Sequence, residues 1–190
     1  RKSVGRKSPK EPTKLEKEEH ERTHCPYRSW CPHCVKSKAR NGHHRKAKEE
    51  PLEELEVPRV HMDYFFMSRE DEKASKNPLI VIADERSGSR YARAVGCKGL
   101  GEGGEMDWLI EDISTIMKSW GHGGGTGGEL IIKTDGEPAL LAVRNAVIKY
   151  HGGVIVPEAP AIREKAEHGL IEAARKTVRE YVCTFLSAIE

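Results

Sequence analysis

Apolar residues follow two different periods along this chain, and the changes between them predict its secondary structure. Three runs rich in β-branched and aromatic residues, VPRVHMDYFFM, PLIVIADE and SRYARAVGC, predict three strands separated by turns. Helical spacing follows in MDWLIEDISTIMKSWG, where Gly121 ends the pattern, and again in PALLAVRNAVIKYHGG. Between and after these two segments, ELIIKTDG and GVIVPE predict two further strands, and a last helix is predicted from about Ala161 to Ile189.

The resulting order, β-β-β-α-β-α-β-α, predicts an α/β fold. Three consecutive strands favour an antiparallel meander, whereas strands reached through helices favour parallel pairing, so we expect a mixed five-stranded sheet with helices on both faces. The second run is the most apolar and is expected to be central. The last helix should bury one stripe of side chains: Ile171, Ala174, Val178, Val182, Phe185 and Ile189.

The polar segments predict how the chain is divided. Residues 1–19 are charged and nearly free of large apolar groups, which is typical of a disordered basic arm. Residues 20–44 concentrate histidine and cysteine, residues 45–57 form a charged linker, and residues 58–190 hold the predicted core. Residues 1–50 contain 15 Lys and Arg and 7 Asp and Glu, a net +8, whereas the remainder contains 17 and 23, a net −6. A basic front end suits a polyanionic partner.

Several classes of protein are disfavoured by the composition. No apolar run approaches the roughly 20 residues of a membrane span, and no signal-peptide pattern is present, so we expect an intracellular protein without a membrane partner. The five cysteines do not form an even set and include a C-x-x-C pair, which favours metal binding over disulfides. The chain opens on Arg1 rather than Met, so it is expected to be a fragment or a processed piece.

The histidine and cysteine residues of segment 20–44 have a spacing that suits zinc. His20 and His24 are four residues apart, which places both imidazoles on one helical face, and Cys31 and Cys34 form the C-x-x-C pair. Two His and two Cys make a closed tetrahedral zinc set that can hold together a segment too small for its own core. Other ligands remain open at this stage, as does a polar linker without metal: Cys25, His33, His43 and His44.

Three carboxylates lie where the predicted layout would let them converge. Asp63 is within the first strand, Asp135 ends the fourth, and Glu172 follows Ile171 of the buried stripe by one residue in the last helix. Three carboxylates at one point favour hard cations, so Mg²⁺ or Mn²⁺ is expected there, and two such ions can activate an attacking oxygen and stabilise a leaving one. The alternative is that Asp135 only forms a turn and Glu172 only solvates a helix.

With these residues in view, the sequence resembles the catalytic core of DDE-type integrases of retroviruses and copia-type retroelements. VHMDYFF is similar to the family's first-strand signature, IIKTDGEPAL to its second Asp segment, and GLIEAARKTV to its Glu-bearing helix. The family places about thirty-five residues between the second Asp and the Glu, and here 36 residues lie between Asp135 and Glu172. The family also carries an H-H-C-C zinc module ahead of its core, although the interval between His24 and Cys31 is shorter here than in retroviral members.

The resemblance implies an RNase H-like fold and DNA integration chemistry. Asp63, Asp135 and Glu172 would be catalytic and would hold Mg²⁺ or Mn²⁺, while His20, His24, Cys31 and Cys34 would hold a structural Zn²⁺. The partners implied are double-stranded DNA, as element ends and target, and further copies of the chain, in the nucleus or a retroelement particle. Basic residues near Glu172 on the last helix are candidates for phosphate contacts: Lys165, Arg175, Lys176 and Arg179.

The sequence departs from the family pattern around the Glu-bearing helix. His168 precedes Gly169 where the family usually has Asn, and Ala173 stands where Arg is common. These differences allow a decayed integrase copy that acts as a zinc-stabilised nucleic-acid-binding protein. An RNase H-like nuclease is the other enzymatic alternative. The leading hypothesis is an integrase, a metal-dependent polynucleotidyl transferase that processes 3′ ends and transfers strands.

Overall fold

The computed structural model describes residues 11–38, 57–123, 128–158 and 169–189. It divides the chain into two compact units, one made of Arg1–Arg45 with Arg179–Glu190 and the other of Lys46–Val178. Five strands lie in the second unit: β1 (Arg59–Phe65), β2 (Leu79–Asp84), β3 (Arg90–Ala94), β4 (Leu130–Thr134) and β5 (Ile155–Glu158). The helices are α1 (Lys14–Thr23), α2 (Pro32–Lys38), α3 (Arg69–Ala74), α4 (Asp107–Ser119), α5 (Pro138–His151) and α6 (Gly169–Ile189).

The strands form one mixed sheet in the order β3-β2-β1-β4-β5. β1, β2 and β3 pair antiparallel, whereas β4 pairs parallel with both β1 and β5. The α/β class and the mixed five-stranded sheet predicted from the sequence are therefore confirmed. One detail differs, because β1 rather than the more apolar β2 is the central strand; β2 reaches nearly full burial as its neighbour.

Helices cover both faces of the sheet, as the sequence predicts. Side chains alternate between faces along a strand, so Val60, Met62 and Tyr64 of β1 point to one side and join a core with apolar residues of α4 and α5. Phe65 and Val81 belong to a smaller core on the other side, together with Ile171 and Ala174 of α6. Asp63 shares the side of Phe65, which places its carboxylate on the face that α6 covers.

The first helix begins inside the stretch 1–19 that the sequence predicts to be a disordered arm. Thr13 and Glu16 form a capping box, in which the Thr13 hydroxyl accepts the Glu16 N–H at 3.3 Å and the Glu16 carboxylate accepts the Thr13 N–H at 2.8 Å. These two bonds satisfy backbone donors at the start of α1. The charged segment Lys14–Thr23 is therefore helical although it carries almost no apolar residues.

The last helix is described from Gly169, and residues 161–168 of the predicted helix lie outside the described residues. Ile171 and Ala174 are buried, as the predicted stripe requires. The stripe is wrong in the second half of α6, because Phe185 is 44% exposed and Ile189 is 80% exposed, while Thr184 is 1% exposed. Thr184 lies roughly 110° around the helix from the buried residues of the first half, at about 100° per residue. The two halves of α6 thus bury different faces.

Candidate functional site

Four potential metal ligands converge in the unit that contains α1 and α2. His20 lies on α1, and His24 is its C-cap in a left-handed conformation, with φ of 49°. Cys31 directly precedes α2, and Cys34 lies within it. One donor atom from each of these four residues lies within 4.8 Å of all the others. The structure therefore brings together the two His and two Cys residues that the sequence singles out.

The distances between these donors suit a tetrahedral ion. The Cys34 Sγ lies 3.3 Å from the His20 Nε2, and the Cys31 Sγ lies 3.5 Å from the His24 Nδ1. Zinc–sulfur bonds of about 2.3 Å and zinc–nitrogen bonds of about 2.1 Å at a tetrahedral angle would separate the sulfur and nitrogen atoms by about 3.6 Å. The donor set fits Zn²⁺ in both its chemistry and its spacing.

The environment of the four residues also favours metal binding. All four are buried, between 1% and 4% exposed, and both cysteines are free thiols. Burial is the main cause that lowers the pKa of His20, with the neighbouring His24 adding to it, so its imidazole is held in the neutral form that binds metals. The His20 Nδ1 is buried without a hydrogen-bond partner in the described structure. We refer to this group below as the His/Cys site.

The alternative zinc ligands occupy other positions or fall outside the description. The Cys25 Sγ lies 3.2 Å from the Tyr181 hydroxyl, and the His33 Nδ1 lies 3.2 Å from the Ser187 Oγ. His43 and His44 lie outside the described residues. Neither Cys25 nor His33 belongs to the group of four donors.

Two of the three predicted catalytic carboxylates lie close together at the neighbouring strands β1 and β4, in the other unit. In the parallel ladder, Met62 of β1 lies opposite Thr134 of β4. The residues that follow them in the sequence, Asp63 and Asp135, are therefore neighbours. Asp63 lies within β1 with its side chain 14% exposed, whereas Asp135 lies just past the end of β4 and accepts the Glu137 N–H at 3.1 Å. The adjacency is direct enough for the charge of Asp135 to act on Asp63.

The charge of Asp135 contributes to the pKa of Asp63, which is raised above its ordinary value. Burial is the largest cause of its raised pKa, and the Asp135 carboxylate adds to the increase. The guanidinium of Arg175 opposes both, because it favours the ionised form of Asp63. The net effect is a raised pKa of Asp63, which means that its ionised carboxylate is less stable in the folded protein than in water.

Arg175 reaches Asp63 from α6, the helix that also carries Glu172. The Arg175 Nη1 donates to the Asp63 Oδ2 at 2.8 Å, and its guanidinium lies 5.9 Å from the centre of the Phe65 ring. Glu172 lies one helical turn before Arg175 and is exposed. Among the described residues, the three carboxylates do not form a group as tight as the His/Cys site. The structure pairs Asp63 with an arginine, and a metal site shared by the three acids stays a prediction.

Two charged residues near Asp135 were not singled out from the sequence. The Lys98 Nζ donates to both carboxylate oxygens of Glu137, at 2.7 and 3.0 Å, and lies over the rings of Tyr64 and Phe66. Glu137 follows Asp135 by two residues, so its proximity was readable from the sequence. The position of Lys98 was not, because it comes from the segment after β3.

The predicted phosphate-contacting residues have different surroundings. Arg175 makes the ion pair with Asp63, while Lys176 and Arg179 are exposed on α6. Lys165 lies outside the described residues. Nothing in these positions tests a contact with DNA, which stays a prediction.

No family model and no curated protein matches the sequence. Among solved structures, the chain is similar to a chain in the cryo-EM structure of the simian T-cell lymphotropic virus intasome in complex with the PP2A regulatory subunit B56 gamma, at 14% sequence identity and a TM-score of 0.37. The match covers 66% of this chain and 46% of that chain, so this chain spans less than half of the length of its relative. A likeness at this TM-score carries no argument about function.

Membrane insertion through a helix finds no support in the described ranges. None of the helices there combines the length and the apolar character that a bilayer crossing requires.

Proposed function

We propose that this chain is the catalytic core of a retroelement integrase with an RNase H-like fold, a metal-dependent polynucleotidyl transferase. The observation that carries the proposal is the register of β1 and β4, which puts Asp63 beside Asp135. Asp63 lies on the face of the sheet that α6 covers. Glu172 lies on that helix, one turn from the arginine that contacts Asp63. The His/Cys site precedes this core in the order that the resemblance to integrases leads us to expect.

The acidic residues Asp63, Asp135 and Glu172 would hold Mg²⁺ or Mn²⁺. Carboxylate oxygens are the ligands that these ions prefer, and bound ions would polarise the phosphodiester and supply a nucleophilic oxygen at neutral pH. The chain's own contribution is to hold Asp63 within β1 and Asp135 at the end of the neighbouring β4, where Asp63 is largely shielded from water. The His/Cys site would hold a structural Zn²⁺ and take no part in the reaction.

The substrate in this proposal is double-stranded DNA, cut at its 3′ ends and then joined to a target by attack of the 3′-hydroxyl. Arg175, Lys176, Arg179 and Lys165 would contact phosphates. Such contacts position a duplex without reading its sequence. Work on both DNA ends requires several copies of the chain, so a homo-oligomer in the nucleus or a retroelement particle belongs to the proposal.

Strand transfer on labelled blunt duplex DNA with Mn²⁺ tests the proposal directly. The expected result is joined products from the chain and none from Asp135→Asn, a variant that keeps the size of the side chain. Asp107→Asn, which changes an exposed carboxylate at the start of α4, is the matched control and should keep the activity. Cleavage of RNA–DNA hybrids without joining would replace the integrase with an RNase H-like nuclease.

One observation favours a second function, that of a catalytically decayed integrase copy which binds nucleic acid. Arg175 already forms an ion pair with Asp63, and among the described residues the three carboxylates are not found as a metal-binding group. In that case the same assay would show duplex binding, no joined or cleaved products from any variant, and no difference between Asp135→Asn and the unmodified chain.

A further inference from the structure

The end of the last helix and the His/Cys site belong to the same compact unit, which contains Arg1–Arg45 and Arg179–Glu190. Within this unit α1 and α2 are short, with 10 and 7 residues, and His20 is the one buried residue of α1. Isolated helices of this length are only marginally stable in water. Two helices with so few apolar side chains cannot form a hydrophobic core of their own. The site therefore needs another element to shield its ligands from water.

Residues 179–189 provide such an element through contacts along one broad face. The Tyr181 hydroxyl meets the Cys25 Sγ at 3.2 Å, and the Ser187 Oγ meets the His33 Nδ1 at 3.2 Å. The Phe185 ring packs edge-on against the imidazole of the ligand His24, with ring centres 5.9 Å apart. Thr184 lies between these three residues on the helical face and is 1% exposed. The contacts explain why the second half of α6 buries a different face from the first.

His24 is held on two sides by aromatic rings. Its imidazole lies 5.6 Å from the ring of His33, which itself contacts Ser187, and 5.9 Å from the ring of Phe185. The orientation of a metal-binding imidazole depends on such surrounding groups, and their loss weakens metal binding. Residues 179–189 therefore touch the ligand set directly, through Phe185, and indirectly, through His33.

We propose that residues 179–189 are the third helix of the zinc module, so that Zn²⁺ at the His/Cys site and the helical order of this segment depend on each other. The inference rests on the proposed zinc binding and goes beyond it, because it makes the far end of the chain part of the metal site. Binding energy that is released only when the whole unit is folded stabilises every element of that unit. Removal of zinc then opens the end of α6 as well as α1 and α2.

Hydrogen–deuterium exchange of the full chain, with zinc bound and after treatment with a chelator, tests this coupling. The expected result is faster exchange in residues 179–189 and in α1 after chelation, with α4 unchanged as the internal reference. Unchanged protection of 179–189 while α1 opens would overturn the inference and leave the zinc site intact. Native mass spectrometry on the same sample separates the two cases, because a chain that binds no zinc overturns both.

A pair of variants tests the reverse direction. Phe185→Ala removes the ring beside His24 and is expected to weaken zinc binding about tenfold in competition with a chromophoric chelator. Ile189→Ala, on the same helix segment but 80% exposed, is the matched control and should bind zinc within about twofold of the unmodified chain. Equal affinities for all three proteins would refute a role of the helix in the site.

Discussion

The aspartate that ends β2 allows a sharp test of the packing around the sheet. Asp84 is fully buried and accepts three hydrogen bonds, from the Ser87 N–H at 2.8 Å, the Ser87 hydroxyl at 2.5 Å and the His122 Nε2 at 2.9 Å. His122 stands directly after α4 and its glycine stop, and its carbonyl accepts the His151 Nε2. The carboxylate therefore ties the β2–β3 turn to the segment between α4 and β4.

Replacement of Asp84 by alanine is expected to lower the free energy of unfolding by about 3 kcal/mol or more, because it leaves the buried donors of Ser87 and His122 without their acceptor. The side chain of Asp84 is 1% exposed and that of His122 is 4% exposed, so water does not replace the lost bonds without rearrangement. Asp84→Asn keeps the volume and one accepting oxygen, and we expect a smaller loss of about 2 kcal/mol. Against a total stability of about 5–15 kcal/mol, either loss is easily measured.

Urea denaturation monitored by tryptophan fluorescence, to which Trp108 and Trp120 of this unit contribute, measures these differences. Glu111→Ala, an exposed acidic residue on α4, is the control and should change stability by no more than about 0.5 kcal/mol. A loss below about 1 kcal/mol for Asp84→Ala would refute the reasoning, because it would mean that the pair is solvated or not formed.

The dependence of stability on pH adds a check. Burial acts to raise the pKa of Asp84, but the hydrogen bonds from Ser87 and His122 outweigh it, so the pKa of Asp84 is lowered. Its contribution should be complete above the pKa of the unfolded carboxyl, near 3.8, and disappear as the pH falls through the lower pKa of the folded state.

Four further outcomes follow from the structure. Because the pKa of Asp63 is raised, its charge costs stability above that pKa, so Asp63→Asn should raise the thermal midpoint at pH 7 and not at pH 3. Burial lowers the pKa of His151, so calorimetry should show stability falling as the pH drops from 6.5 towards the folded pKa, with a smaller slope in His151→Asn. Cys34→Ser should lose the zinc that native mass spectrometry detects, whereas the exposed Cys183→Ser should keep it. Lys176→Ala should weaken DNA binding and reduce the salt slope by about 1, unlike Lys149→Ala on α5.

The sheet and its covering helices could be predicted because each element carries its own periodic signal. The β1, β2 and β4 segments are short apolar runs, and α4 repeats its buried residues Leu109, Ile113 and Met117 at helical spacing. These signals are local and do not depend on which elements meet. The mixture of parallel and antiparallel pairing followed from the connections, since parallel neighbours need a crossover and antiparallel neighbours need only a turn. The central position of β1 did not follow, because the apolar character of β2 pointed to β2 instead.

Helices without an apolar face were not predicted, because the prediction relied on hydrophobic periodicity. α3, with the sequence REDEKA, has no buried residue, and Ser68 caps it by accepting the Asp71 N–H at 3.0 Å. α1 begins at a capping box, Thr13-x-x-Glu16, which was readable as a helix start had the charged composition not pointed to disorder. In both helices the signal lies in the caps rather than in the hydrophobic pattern.

The two candidate metal sites differ in how much of their geometry the sequence contains. The ligands of the His/Cys site come from a stretch of 15 residues, so helix and knuckle spacing nearly determine their meeting. The meeting of Asp63 with Arg175 spans 112 positions and depends on which face α6 presents to the sheet. The sequence periodicity placed Glu172 beside the buried stripe but could not show that Arg175 reaches the carboxylate.

In the proposed integrase, Asp63 and Asp135 would serve metal binding rather than stability. Asp63 is held in a site where burial and the Asp135 charge both disfavour its ionised form, and a single guanidinium offsets them in part. An amide at position 63 would avoid that cost, whereas a carboxylate retains an oxygen pair able to exchange a protein cation for a metal ion. A partly buried acid whose pKa is raised by burial, and further by a second acid, is an arrangement often found at functional sites. The same balance makes Arg175 the residue that a divalent ion would have to displace from Asp63.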